Sequence, residues 1–205
     1  MSALWLGDAP LLLASGSATR ASLLRAAGLS FEARPADVDE RALEAVLVEQ
    51  GADGVAVALA LAREKALAVS ALAPDRLVLG ADQTLTCGAR RFAKPENRAG
   101  AQKTLAALSG RVHELHSALA FARGGCVLHD VVRTARLTMR ALSPQFIEAY
   151  LDAVGEAAHA SVGAYQIEGT GVHLFEEVDG DHSTILGLPL LPLLAFLRAQ
   201  GFVAA

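Results

Sequence analysis

The order of residue patterns along the chain is the feature that most limits its fold. Short apolar runs of β-forming residues alternate with longer stretches whose apolar residues have helical spacing. Pro10–Ala14 is typical of a short buried strand, and it leads through Ser15–Ser17 into a helix over Ala18–Ala27 that Gly28 closes. This alternation predicts an α/β protein, with a mixed sheet flanked by helices.

The alternation continues to the C-terminus without a linker, a repeat or a low-complexity tract, so we expect a single domain over residues 1–205. Further strands are predicted over Phe31–Val38, Arg76–Ala81, Val112–Ala122, Cys126–Leu137 and Val172–Val178. Further helices are predicted over Val55–Leu72, Asn97–Leu108, Ser143–Gly155 and Leu188–Gln200. Gly124 and Gly125 are typical of the turn of a hairpin between two of these strands.

Composition excludes two classes of protein. Hydrophobic residues make up 53% of the chain, but charged residues interrupt every apolar stretch, well before the roughly 20 residues that a membrane-spanning helix needs. The net charge of −4, from 18 basic and 22 acidic residues, is opposite to that of a typical nucleic-acid-binding protein. Met1–Leu13 lacks the positive charge that precedes the apolar run of a secretory signal. We therefore expect a cytoplasmic protein with no membrane or nucleic-acid partner.

The Ser15–Ser17 loop is a candidate anion site. It lies between a predicted strand and a predicted helix start, where free backbone N–H groups and the positive helix end face the loop. Ser17 is a suitable N-cap, and Arg20 adds a cation on the first helical turn. Lys94 is a second cation, in a predicted loop. Both cations are equally compatible with ordinary surface charge, and the loop does not match the P-loop pattern.

Two acidic positions could carry chemistry. Asp82 directly follows the apolar run Leu77–Ala81, a position typical of a metal ligand or general base but also of a cap or a solvated turn. Glu40 ends an acidic group with Asp37 and Asp39, which by itself is typical of a solvated loop. Together, Glu40 and Asp82 could supply two oxygen ligands for Mg²⁺, which prefers carboxylates and substrate phosphates.

Several short motifs follow one another in the order seen in a known family. They are Leu13–Ser17 with Arg20, Val38–Glu40, Arg63–Ala66, Gly80–Asp82, Lys94–Pro95, Leu108–Gly110, Gly163–Tyr165, Glu168–Gly169 and Leu186–Pro189. On these motifs the chain resembles the Maf family from about Leu11 to Gly201. The resemblance implies a nucleoside triphosphate pyrophosphatase whose elongated mixed sheet, flanked by helices, forms two lobes with a central cleft. It also implies a homodimer, a divalent cofactor such as Mg²⁺ or Mn²⁺, and a link to septum formation.

The resemblance also implies roles for individual residues. Asp82 would be the proton acceptor and a metal ligand, and Glu40 would be a second metal ligand. The triphosphate would be held by Ser15, Arg20, Lys65 and Lys94. Such a set suits attack on phosphorus, because the charge that develops there must be offset by cations.

Three positions would select the base: Thr19, Gln83 and Glu168. Within the resemblance, Gln83 and Glu168 match the branch that acts on 7-methyl-GTP, whereas Thr19 matches neither that branch nor the one acting on dTTP and UTP. A carboxylate can accept hydrogen bonds from guanine N1–H and its exocyclic amine. We therefore expect a methylated guanine nucleotide, with dTTP or UTP as the alternative. Two different functions stay open: a nucleotide-binding regulator of septum formation with little catalysis, and an unrelated phosphatase.

Overall fold

The strands of the computed structural model, which describes residues 4–204, form one mixed sheet. The strands are β1 (Leu11–Leu13), β2 (Phe31–Ala33), β3 (Val78–Cys87), β4 (Arg90–Phe92), β5 (Val112–Arg123), β6 (Cys126–Met139) and β7 (Phe175–Asp179). The helices are α1 (Ala18–Ala26), α2 (Glu40–Glu49), α3 (Gly54–Leu72), α4 (Arg98–Leu108), α5 (Pro144–Val154), α6 (His182–Ile185) and α7 (Leu190–Ala199). Short 3₁₀ helices follow at Gly155–His159 and Thr170–Leu174.

The sheet has the strand order β2-β1-β3-β5-β6-β7, with β4 paired to β3. Strand β1 is parallel to both of its neighbours, and Leu12 lies opposite Glu32 on one side and Val78 on the other. The pairs β3–β4 and β6–β7 are antiparallel. Parallel and antiparallel pairs occur in one sheet with helices between its strands, so the predicted mixed α/β fold is confirmed.

The described residues fall into two compact units. The first comprises residues 4–83, His116–Arg133 and residues 181–204, and the second comprises Thr84–Leu115 and Thr134–Gly180. Strands β3, β5 and β6 contribute residues to both units. That residues 1–205 form a single domain stays a prediction. Between residues 4 and 204, none of the helices combines the length and the hydrophobicity needed to cross a bilayer.

Alanine dominates one helix–sheet contact of the first unit. Ala58, Ala62 and Ala66 recur every fourth residue on α3 and are fully buried, together with alternate alanines of β5. Gly80 of β3 belongs to the same contact, because a Cβ there would lie 2.1 Å from the Ala62 carbonyl oxygen. Small residues on both sides thus let α3 lie close against the sheet.

The helix caps predicted from the sequence are confirmed. The Ser17 side chain accepts a hydrogen bond from the Arg20 backbone N–H at the start of α1. Asn97 caps α4 in the same way, and Ser143 caps α5 with Pro144 in its first turn. These are local signals, because each depends only on residues within one helical turn.

Three predicted segments are different in the structure. Strand β2 ends at Ala33 rather than Val38, and the acidic group that was expected in a solvated loop begins helix α2 at Glu40, with Asp39 as its N-cap. Strand β3 continues to Cys87, so Asp82 lies within the strand and not at its end. Residues 170–174 form a 3₁₀ turn before β7.

Candidate functional site

The close packing of α3 on β3 brings a lysine to an aspartate. Lys65 Nζ lies 2.7 Å from Asp82 Oδ1 and 2.9 Å from Glu40 Oε1. Lys65 lies on the buried face of α3, and its side chain is 9% exposed, against 11% for Asp82 and 51% for Glu40. One ammonium group therefore holds two carboxylates, one nearly buried and one half exposed.

These two carboxylates are the donors available for a metal ion. Within residues 4–204 there is no group of three or more His, Cys, Asp and Glu side chains that could hold one. Mg²⁺ commonly takes one or two carboxylates and completes its shell with water and substrate phosphates, whereas a structural zinc ion needs four protein ligands. Glu40 and Asp82 thus fit an ion of the Mg²⁺ type that binds together with a phosphate ligand.

Arg20 is the second cation of this cluster. Its Nε donates to the Gly187 carbonyl at 2.8 Å, and its Nη1 donates to the Ala81 carbonyl at 2.8 Å and to Ser15 Oγ at 3.1 Å. Burial lowers the pKa of Arg20, and Asp82 and Glu40 oppose this effect through their negative charge. Arginine stays protonated in proteins, so Arg20 adds a fixed positive charge close to the two carboxylates.

The Ser15–Ser17 loop is held by hydrogen bonds of its own side chains, and its role as an anion site stays a prediction. Ser15 is buried, and its Oγ accepts from the Ser17 backbone N–H at 3.3 Å as well as from Arg20. Thr19 is half-buried on the first turn of α1. Hydrogen bonds therefore connect the loop, the start of α1 and Arg20.

Gln83 is tied to the segment that precedes α7. Its Nε2 lies 2.9 Å from Ser117 Oγ, 3.2 Å from the Thr184 carbonyl and 3.0 Å from the Ile185 carbonyl. Carbonyl oxygens can only accept, so these contacts fix the amide with its nitrogen toward them. The remaining polar atom, Oε1, can only accept a hydrogen bond.

Asp181 organises the start of the same segment. It caps α6 by accepting from the Thr184 backbone N–H at 2.9 Å, and it accepts from the hydroxyls of Ser183 and Thr184. Burial acts to raise the pKa of Asp181, but these hydrogen bonds outweigh burial and leave the pKa below its ordinary value. Gly187 follows with φ +91°, a backbone conformation that favours glycine. Its carbonyl is the one that Arg20 holds.

Two predicted site residues belong to the second unit. Lys94 is exposed in the loop between β4 and α4, and Glu168 is exposed in a turn that follows Tyr165. Inside this unit, His113 Nε2 and the Tyr165 hydroxyl are 2.8 Å apart, and both residues are buried. Burial lowers the pKa of His113 to about 4 and raises the pKa of Tyr165 far above its usual range.

The structure thus groups most predicted site residues in the first unit and shows direct contacts among five of them. Lys65 contacts Glu40 and Asp82, and Arg20 contacts Ser15. Sequence reasoning gave no role to four residues that hold this arrangement: Gly80, Ser117, Asp181 and Gly187. For Asp181 a signal was available, since Asp is one of the residue types preferred at a helix N-cap. The contacts of Ser117 join residues far apart in the chain and leave no local signal.

Comparison with known proteins gives a consistent result. The family model described as "Maf: Maf-like protein" matches residues 10–200. A "Nucleoside triphosphate pyrophosphatase" of Rhodopseudomonas palustris is 57% identical over 202 residues, covering 98% of each chain. One of the same name from Nitrobacter hamburgensis is 56% identical, covering 98% of this chain and 99% of the other. A "7-methyl-GTP pyrophosphatase" of Mesorhizobium japonicum is 55% identical, covering 94% and 97%.

Proposed function

The chain belongs to the Maf family, and from this premise we propose that it hydrolyses a guanine nucleoside triphosphate to the monophosphate and pyrophosphate. The coarser statement, that it is a nucleoside triphosphate pyrophosphatase and hence a hydrolase of phosphoric anhydrides, rests on relatives of that name at 53–58% identity. The observation that carries the proposal is the convergence of Glu40 and Asp82 on Lys65.

In the proposed reaction a water molecule attacks the α-phosphorus and the bond to the bridging oxygen of the β-phosphate breaks. Asp82 accepts the proton of the attacking water, and pyrophosphate leaves. The near burial of Asp82 supports this role, because it keeps bulk water from taking the place of the carboxylate as proton acceptor. Lys65 holds that carboxylate in position. The same pairing holds Asp82 in one orientation before substrate arrives.

Glu40 and Asp82 would hold a divalent ion, as their donor chemistry fits Mg²⁺ or Mn²⁺. When bound, such an ion would neutralise phosphate charge and polarise the phosphoryl group. Lys65 and Arg20 would offset the remaining negative charge of the triphosphate, with Ser15 positioning Arg20. Lys94, an exposed lysine at a position of the family motif, would add a further cation.

The base is selected, in this proposal, by acceptor groups. Gln83 offers only Oε1, because its Nε2 is held by Ser117, Thr184 and Ile185, and Glu168 is an exposed carboxylate. Guanine presents two adjacent donors, N1–H and the exocyclic amine, whereas uracil presents a single N3–H between two carbonyls. Methylation at N7 adds a positive charge, which a carboxylate also favours. Thr19 completes the set of candidate specificity residues.

The direct test is a screen of ordinary and modified nucleoside triphosphates, in which released pyrophosphate and orthophosphate are measured separately. We expect pyrophosphate release, highest kcat/KM for 7-methyl-GTP, and loss of activity in a chelator with recovery on adding Mg²⁺ or Mn²⁺. Preference for dTTP or UTP would contradict the proposed base. Orthophosphate as the sole product would point to a phosphatase, and nucleotide binding without turnover would point to a regulator.

Glu168→Gln tests the account of base selection. Replacing the carboxylate with an amide removes one acceptor oxygen and the negative charge, so we expect preference to shift from guanine toward uracil nucleotides. The matched control is Glu176→Gln, at an exposed glutamate of β7, which should leave preference unchanged. An unaltered preference in Glu168→Gln would refute the role of Glu168. The homodimer implied by the resemblance and the cytoplasmic location expected from the sequence stay predictions.

A further inference from the structure

The cation held between Glu40 and Asp82 is part of the chain itself. Lys65 Nζ makes contacts of 2.9 and 2.7 Å to these carboxylates, which are the two groups proposed to hold the divalent ion. An ammonium group at hydrogen-bond distance from both carboxylates competes with a metal ion for the same oxygens. This arrangement raises the question of how a metal could enter.

We propose that Lys65 is a placeholder cation, which occupies the Glu40–Asp82 carboxylate pair until a triphosphate draws its ammonium group away. The metal ion then enters together with the nucleotide and not before it. This inference rests on the proposed function, since it takes Glu40 and Asp82 as the metal ligands and a triphosphate as the substrate.

The charge balance of the cluster supports this order of binding. Two cations, Lys65 and Arg20, face two anions, Glu40 and Asp82, and the field of both anions acts on Arg20. The cluster is therefore neutral without a metal, and a lone divalent ion would add two uncompensated positive charges in a mostly buried environment. A metal–triphosphate complex carries net negative charge, so it would be attracted to the two cations that repel the metal alone.

Flexibility distinguishes the two cations. Arg20 is held by three hydrogen bonds from its Nε and Nη1, two of them to backbone carbonyls, and it cannot move without breaking them. Lys65 is bound through a single nitrogen atom at the end of four rotatable bonds. It can exchange a carboxylate for a phosphate oxygen while its helix stays in place. Lys65 is thus the cation that can move away from the carboxylates, whereas Arg20 stays in place.

The test measures metal binding without nucleotide, using Mn²⁺ alone and the electron paramagnetic resonance signal of free Mn²⁺. We expect weak binding by the wild-type protein and binding at least about tenfold tighter by Lys65→Gln, because a positive charge beside the ligands is removed. Lys103→Gln, at an exposed lysine of α4, changes the net charge equally and should match the wild type. Equal or weaker Mn²⁺ binding by Lys65→Gln would overturn the proposal.

A second variant locates the effect. In the Lys65→Gln background, Glu40→Gln should abolish the gain in Mn²⁺ affinity, and a gain that persists would overturn the proposal. Pyrophosphate release by the wild-type protein is measured in parallel. If the wild type releases pyrophosphate but Lys65→Gln shows no gain in Mn²⁺ affinity, the placeholder role fails while the proposed function stands. If no nucleotide yields pyrophosphate, the proposed function itself has failed.

If Lys65→Gln does not fold, the wild-type protein still decides the question. Nitrogen-15-labelled lysine gives an ammonium resonance for Lys65, which can be assigned by its loss in Lys65→Arg. We expect this resonance to be unchanged by Mg²⁺ alone and to shift when Mg²⁺ is added with α,β-methylene-GTP, which cannot be cleaved at that position. A shift with Mg²⁺ alone, or none with both, would overturn the proposal.

Discussion

Each of the two units buries a polar cluster, but one cluster is an ion pair and the other is a pair of neutral groups. In the first unit, Lys65 and Asp82 are nearly buried as ions that neutralise each other. In the second unit, His113 and Tyr165 are buried as neutral groups joined by one hydrogen bond. Buried ions are costly and are kept where charge is needed, whereas a neutral pair can serve packing alone. This difference supports the proposal that the first cluster is the catalytic one.

The largest expected effect tests the charged cluster directly. Asp82→Asn keeps the shape of the side chain but removes the proton acceptor, so turnover should fall on the order of 10²-fold or more. Asp130→Asn is the matched control, because Asp130 is also ion-paired, to Arg63 at 2.5 Å, but on the surface. Steady-state pyrophosphate release measures both variants. Near-normal turnover in Asp82→Asn would remove Asp82 from this role.

Gly80→Ala tests how the cluster is assembled. A Cβ at Gly80 would meet the Ala62 carbonyl at 2.1 Å and the Ala66 backbone nitrogen at 2.7 Å, so α3 must move away from β3. We expect destabilisation by about 3 kcal/mol, at the upper end for overpacking, since the obstructing atoms are backbone. Urea unfolding measures this change. Gly100→Ala, within α4 and with its closest contact at 3.4 Å, is the control and should not destabilise.

Much of the fold could be predicted because its signals are local. The caps Ser17, Asn97 and Ser143 and the turn at Gly124–Gly125 depend on a few neighbouring residues, and all are as predicted. Helix α2 was not predicted, although Asp39 before it is of a preferred N-cap type, and none of its residues is buried. The site was predicted only as a set of residue types, without the contacts between them.

The contacts themselves depend on tertiary packing that no local pattern reveals. Asp82 and Gln83 interrupt an apolar run and so predict the end of a strand, yet β3 continues through them because their side chains find polar partners. Lys65 follows Arg63 and Glu64 and looks like another surface charge. Lys65 differs from Arg63 and Glu64 only in lying on the buried face of α3, which packs on the sheet. A charge at a position of the buried helical stripe is the signal that could have identified Lys65 without the family resemblance.

The neutral cluster of the second unit should make stability depend on pH. Burial lowers the pKa of His113 to about 4, against about 6.5 in the unfolded chain. Between these values the unfolded state binds more protons, so stability falls as the pH drops from 6.5 to 4, by about 2 to 3 kcal/mol. His113→Phe should flatten this dependence in urea unfolding, whereas His173→Gln, at an exposed histidine, should retain it. An unchanged slope in His113→Phe would contradict the neutral burial of His113.

The smallest expected effect concerns Asp181. Its carboxylate is charged, like the groups of the first cluster, but its hydrogen-bond donors are neutral, like the groups of the second. Asp181→Ala removes the cap of α6 and should cost about 1 kcal/mol, whereas Asp181→Asn retains a cap and should cost less. Because folding lowers the pKa of Asp181, its carboxylate stabilises the fold at pH values above the ordinary pKa of an aspartate. This stabilisation is lost as the pH falls, and both variants should lack this pH dependence. Equal stability of Asp181→Ala and wild type would show that the cap at Asp181 does not contribute to stability.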